Sequence, residues 1–307
     1  MKQINKLEPP ESKLPCNLAY EGSNAIDSVI KSEDGNAYDA ARFRSALLAD
    51  EGRRNKLGLS FNKETNSHNL YSYADPNGVL NILCQLNLLW KPLTIRTNYR
   101  CDCGHELQPE SELSFEFPYK FHESSPELND VDTALASFSD ETRQDDMAYD
   151  CERCENKVNL TSRVTVQTGD DSTAMYITLN AKHPKTLKPL LQVEYNEKTF
   201  HLVAIVYFEK ENHYAVAIRN SPDGTSTYHN SSPTHVFGSV TKLSFQQLQD
   251  FQVNNISGLL YSEFTMTDEL SPLRSVKFDK NNCYCIAALM IAAAYTRLTK
   301  IHRTPVD

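Results

Sequence analysis

Apolar positions recur at helical spacing near the front of the chain and at strand spacing through its middle. Ala40, Phe43 and Leu47 fall on one face of a stretch from Tyr38 to about Leu48, which predicts a helix. A second begins at Asp75-Pro76, an N-cap residue followed by proline at the first helical position, and carries the stripe Val79, Ile82, Leu83 and Leu86. From Leu93 the period changes to two. Leu113, Phe115 and Phe117 alternate with Ser114 and Glu116, and Val158-Asn159-Leu160, Val164-Thr165-Val166 and Met175-Tyr176-Ile177-Thr178-Leu179 also read as strands. Residues 198–220 predict a hairpin: His201–Phe208 goes out, Glu209–Asn212 turns and His213–Ile218 returns, closed by the turn Ser221-Pro222-Asp223-Gly224. Ser244–Leu248 predicts a short helix, Gly258–Tyr261 a last strand, and the apolar run Ile286–Ala294 a helix entered through Cys283. Residues 1–35, rich in Pro, Ser, Glu and Asn, predict a loosely structured segment, and the acidic, Ser-rich stretch 122–147 an exposed loop. The class is α+β, helices at both ends and sheet between, with no internal repeat.

Charge narrows the partners. The 307 residues carry 31 basic and 40 acidic side chains, a net of −9, with no dense Lys/Arg tract. That disfavours a nucleic-acid or anionic-membrane surface and suits a basic protein partner. The longest apolar run, around Cys285 to Tyr295, is too short to span a bilayer, so no membrane insertion is expected. Met1–Lys6 leads into Glu-Pro-Pro rather than an apolar h-region, so no secretory signal is visible. The eight cysteines therefore read as reduced thiols of a cytoplasmic or nuclear compartment, which a host-delivered effector would also meet.

Four of those cysteines fall in two close pairs. Cys101-Asp102-Cys103-Gly104 and Cys151-Glu152-Arg153-Cys154 each lie beside an expected strand. Four thiolates from two knuckles suit tetrahedral zinc, because soft sulfur favours the ion and close spacing limits the entropy of assembling each half-site. Such a site is structural, since four protein ligands leave no position for water. His105 is close enough to stand in for one cysteine. Asp102, Glu106, Glu110 and Glu112 argue against a nucleic-acid-binding zinc ribbon.

The chemistry-bearing residues lie in the second half. Cys283 stands where a helix begins, and amides left unpaired at a helix N-terminus can lower a thiol pKa. His213-Tyr214 opens the returning strand of the hairpin, and Asn230 follows 17 residues later. A cysteine, a histidine and an asparagine suffice for nucleophilic acyl transfer when folding brings them together.

Paired cysteine knuckles, a hydrophobic strand, His-Tyr and a closing strand resemble the ubiquitin-specific proteases, a family of papain-like cysteine proteases. The likeness runs from about Asn36 to Ala294. The family's glycine-His-Tyr box is matched by Asn212-His213-Tyr214, its Asp/Asn segment by Tyr228-His229-Asn230-Ser231, and its closing strand by Leu259-Leu260-Tyr261. Its glutamine-aspartate box is similar to Tyr38-Asp39-Ala40-Ala41-Arg42-Phe43, with Asp39 where the ubiquitin tail is usually contacted. Arg42 stands where a glutamate usually pairs with that basic tail, which raises the prospect of a different ubiquitin-like substrate. The nucleophile box, Gly-Asn-Thr-Cys-Tyr-x-Asn-Ser-x-Leu-Gln, normally comes first in the chain. Here the similar segment is Lys280–Met290, near the end, which implies a circular permutation. Cys16, the rival that would keep the usual order, lies too few residues before Asp39 to hold the nucleophile helix.

What the resemblance implies is a ubiquitin-specific-protease type of papain-like fold with a helical thumb, a β-sheet palm and zinc-ribbon β-fingers. On that frame residues 1–35 are a flexible N-terminal segment and 36–307 one catalytic domain: thumb 36–92, fingers 93–180, palm 181–265, nucleophile segment 266–307. The implied activity is that of a thiol isopeptidase removing ubiquitin or a ubiquitin-like modifier after its C-terminal Gly-Gly. Cys283, His213 and Asn230 would be catalytic, and Asp39 and Tyr214 would bind substrate. The family's oxyanion asparagine is replaced by Phe278, leaving Asn281 or Asn282 for that role. The alternative is an inactive domain of the same fold that binds a modifier or another protein.

Overall fold

Leu18, Ala25, Ile26 and Val29 lie buried along one side of a helix, α1 (Leu18–Lys31). Residues 18–31 thus depart from the loose segment expected over 1–35, because a stripe at helical spacing hides among the Ser, Asn and Glu that dominate the local composition. The computed structural model describes residues 17–31, 36–59, 61–62, 67–68, 74–101, 103–106, 110–117, 131–132, 135, 142–150, 153, 157–167, 173–178, 188–209, 213–230, 241–250, 256–274, 276 and 283–303.

Three further helices follow: α2 (Asn36–Leu48), α3 (Glu51–Lys56) and, past a short ladder of β1 (Phe61–Asn62) with β2 (Ser67–His68), α4 (Pro76–Gln85). The expected stripes are buried, with Ala40, Phe43 and Leu47 of α2 and Val79, Ile82 and Leu83 of α4 inside the core. Asp75 caps α4, its Oδ1 accepting from the Asn77 amide at 3.0 Å.

Two antiparallel sheets form the middle. The first is four-stranded, ordered β4 (Glu110–Ser114), β3 (Leu93–Cys101), β6 (Lys157–Gln167), β5 (Thr142–Asp150). Strand β5 takes residues 142–147 out of the expected exposed loop, and Val131 and Leu135 within that loop are buried. Leu113 is 70 % exposed while Phe117 is fully buried, so the expected alternation does not continue across them. Strand β4 ends at Ser114, and Phe117 instead bridges Ile177 in parallel.

The second sheet runs β12 (Thr241–Leu243), β11 (Ser226–Asn230), β10 (His213–Arg219), β9 (Lys198–Glu209), β13 (Ile256–Ser262), β7 (Ala174–Thr178), with β8 (Gln192–Tyr195) on the start of β9. The expected hairpin is β9–β10, in register Phe208↔Tyr214 and Val216↔Val206. The turn after it forms with Gly224 at φ 86, its amide bonded to the Ser221 carbonyl at 3.0 Å. Strands β7 and β13 are buried throughout or nearly so, because this sheet has a hydrophobic layer on each side. On one side lie the helices. On the other lie Phe117, Val131, Leu135, Tyr195 and Leu248, the last from α5 (Phe245–Asp250). Ser244 starts α5 with a reciprocal cap: its hydroxyl accepts from the Gln247 amide, and Gln247 Oε1 accepts from the Ser244 amide.

The last helix, α6 (Cys283–Arg303), organises the helical layer. Cys285 through Ala293 are almost completely buried. A helix apolar on every side belongs in a core, and its alanines let α1, α2, α4, β9 and β10 approach closely. Cys283–Ile301 is long and apolar enough by composition to cross a membrane, which the shorter run expected from the sequence is not, yet most of it is buried inside the protein.

Candidate active site

His213 is the first residue of β10 and Asn230 the last of β11. Asn230 pairs with Ala215, so the histidine lies diagonally across from it on the same face of the sheet, a separation that long side chains span. The small side chain of Ala215 leaves the path open. His213 Nε2 lies 2.8 Å from Asn230 Oδ1. An amide oxygen only accepts, so Nε2 is the donor, which in the neutral ring leaves the lone pair on Nδ1. Asn230 is 3 % exposed, which shields that bond from water, while His213 is half-buried and reaches solvent.

Cys283 is the first residue of α6, which packs on β10. Three backbone N–H groups address its sulfur: those of Tyr214, Tyr284 and Cys283 itself. The Tyr214 amide brings the thiol to the residue adjoining His213. The sequence led us to expect a thiol pKa lowered by the helix terminus. The three amides do pull it down, but burial is the larger effect and the net shift is upward. Cys285, one residue on, is wholly buried and its thiol is pushed up to about 12 by that burial.

Tyr214 is half-buried, its ring 5.2 Å from that of Phe208. Burial raises its phenol pKa, with Asp75 and Cys283 as electrostatic neighbours. The sequence showed Asp75 as a cap but gave no sign that it neighbours Tyr214. Asp75 is solvent-accessible yet closely surrounded, and this desolvation raises its pKa. Glu116 is similarly raised, chiefly by burial, and takes hydrogen bonds from Asn81 and Thr178. These carboxyls come from a helix cap and a connecting segment, and no local motif marks them.

Asp39 lies on α2, half-buried, and accepts from the Ser28 hydroxyl of α1. Since α2 packs against α6, Asp39 shares the helical layer with Cys283. Arg42, one turn on, is held by the buried Glu21 at 2.6 Å and lies 5.8 Å over the Tyr38 ring. Asn281, Asn282 and Phe278 lie outside the described residues, as do Cys16, Cys151 and Cys154.

Cys101 ends β3, buried, and Cys103 follows in an exposed turn with Gly104 at φ 83. The Gly104 amide bonds the Cys101 carbonyl at 2.8 Å and the Cys101 amide bonds the His105 carbonyl at 2.9 Å. Register puts Cys101 opposite Leu160, and Lys157 opposite Asp150. The described ends of β5 and β6, Asp150 and Lys157, therefore lie at the same end of the sheet as Cys101. Among the described residues no three metal-ligating side chains converge, two of the four cysteines being outside them.

No family model matches the chain, and no curated protein matches it. A solved structure does: the SAGA DUB module Ubp8/Sgf11/Sus1/Sgf73, with a cysteine-to-alanine Ubp8, bound to monoubiquitin. The match has a TM-score of 0.50 at 10 % identity and covers 82 % of this chain, which spans 59 % of the length of that one. At this identity the likeness is one of fold, a mixed α/β arrangement like that of the ubiquitin-specific proteases.

Proposed function

We propose that this chain is a thiol isopeptidase that releases ubiquitin or a ubiquitin-like modifier by cleaving after its C-terminal Gly-Gly. The observation that carries the reading is the His213–Asn230 hydrogen bond, together with the amide of Tyr214, the residue after His213, at the sulfur of the helix-initiating Cys283. The fold shared with a DUB module solved on monoubiquitin supports it.

Cys283 gives its proton to His213 Nδ1, and the thiolate attacks the carbonyl carbon of the terminal glycine. The Cys283 amide and a side-chain amide from Asn281 or Asn282 meet the oxyanion. The tetrahedral intermediate collapses, the C–N bond breaks, and the lysine amine leaves with the proton from His213. Water then attacks the thioester, His213 takes its proton, and the free carboxylate departs as Cys283 regains its hydrogen. Asn230 holds the imidazole in the required tautomer throughout. Asp39 and Tyr214 line the approach of the modifier tail. Because burial favours the protonated thiol, we place the proton transfer within the substrate complex, where the tail excludes water and the imidazolium offsets the sulfur's charge.

The chain order, with the nucleophile last, is a circular permutation of the family's, and geometry alone defines the site. A structural zinc ion held by Cys101, Cys103, Cys151 and Cys154 would supply rigidity to the four-stranded sheet. A reducing cytoplasmic or nuclear compartment fits these thiols.

The test is covalent capture by modifiers carrying a C-terminal electrophile, run across ubiquitin and ubiquitin-like proteins. Labelling that vanishes in Cys283→Ala is the expected result. Binding of a modifier without labelling by any probe would replace the isopeptidase with the inactive, modifier-binding domain.

A further inference from the structure

Arg297 sits in the distal part of α6, half-buried, with its Nε enclosed by protein. Among the described residues its Nη groups donate to two neutral oxygens, the Ser271 carbonyl and Asn220 Oδ1, the latter at 3.3 Å. Its Nε–H is buried with no partner, and among the described residues no carboxylate stands beside it. Burial brings its pKa down to about 10.

His229 lies nearby on β11, 3 % exposed, with both ring nitrogens buried and unpartnered. Asn220 links the two residues. Its Oδ1 accepts from Arg297, while its Nδ2 donates to the Thr227 hydroxyl. Thr227 and His229 are two apart on one face of β11, about 7 Å along the strand. They stand opposite Ile218 and Val216, whose side chains belong to the helix-side core, so His229 faces α6. Burial is the main influence depressing the His229 pKa to about 4, and Arg297 is the second.

Among the described residues Arg297 Nε and both ring nitrogens of His229 are thus unpartnered, on the helix side of β11 and linked through Asn220 and Thr227. A guanidinium drawn partly out of water normally has a carboxylate beside it, since desolvating a cation without a counter-charge is disfavoured. Water would meet the hydrogen-bonding needs and leave the charge uncompensated. A small anion balances the charge while accepting from Arg297 Nε–H and from one ring N–H of His229. We infer that Arg297 Nε–H and the His229 imidazole together hold a small inorganic anion, such as chloride, between α6 and β11. The anion joins the far end of the helix that starts at Cys283 to the strand that ends at Asn230, independently of whether the chain is an isopeptidase.

The experiment is thermal unfolding of the full chain at constant ionic strength, with sodium chloride progressively replacing sodium methanesulfonate. Bound chloride raises Tm saturably, by a few degrees on the order expected for a site-specific ligand. Arg297→Gln and His229→Asn each remove that saturable rise. An equal, unsaturating response in wild type and both variants overturns the inference. Bromide provides a readout that needs no variant. In wild-type crystals an anomalous peak between His229 and Arg297 supports the site, and ordinary water density there without anomalous signal overturns it.

Discussion

Removing the amide of Asn230 tests the site where its geometry is best defined. In Asn230→Ala the 2.8 Å bond to His213 Nε2 is lost, and Ala215, directly opposite, offers no replacement. The bond matters most when the imidazole becomes cationic during proton transfer. A hydrogen bond to a charged group contributes about 1.5–3 kcal/mol. With about 1.4 kcal/mol per factor of ten, kcat/KM should fall roughly 10- to 150-fold. Asn230→Asp keeps an acceptor at the same place and should lose less. The assay is release of a fluorogenic amide from the modifier's C-terminus, with Tm measured on each variant, because Asn230 is buried. An Asn230→Ala enzyme that keeps both its Tm and its kcat/KM would refute the orienting role. Equal losses in Asn230→Ala and Asn230→Asp, with Tm unchanged, would count against it too.

Cys285→Ala should leave probe labelling intact while Cys283→Ala abolishes it, because the Cys285 thiol is wholly buried with a pKa of about 12; mass spectrometry of the adduct decides. The same thiol makes an alkaline prediction. Its folded pKa is raised from 9.0 to about 12, so its contribution to stability is complete below about pH 9 and is lost as pH rises towards 12; denaturant melts of Cys285→Ala should show a shallower loss over that range. Gly258→Ala would put a Cβ 2.5 Å from the Tyr176 hydroxyl, which donates to Asn77 Oδ1 at 2.6 Å from a fully buried ring, and should cost about 1–3 kcal/mol in denaturant unfolding. Metal analysis should find about one zinc per chain, and Cys101→Ser or chelation should lower Tm.

Much of the local structure was legible from the chain. The stripes of α2 and α4, the Asp75 cap, the β9–β10 hairpin, the Gly224 turn and the apolar run of α6 each depend on contacts within a few residues, and those contacts leave a periodic or turn signature. Cysteine spacing marked the two pairs, of which the structure describes Cys101 and Cys103 at the end of β3. Helix α1 escaped because its stripe lies in a polar composition, and Leu113 misled because alternation alone does not say which face is covered. The sequence also left His213 and Asn230 as residues 17 apart, whereas strand register placed them on one face within hydrogen-bonding distance. Only the tertiary fold decided the sign of the Cys283 shift, since helix-terminal amides are a local property while desolvation depends on everything packed around the sulfur. The electrostatic influence of Asp75 on Tyr214, and of Arg297 on His229, has the same origin: these groups come from elements far apart in sequence, and packing alone determines which charges share a low-dielectric space.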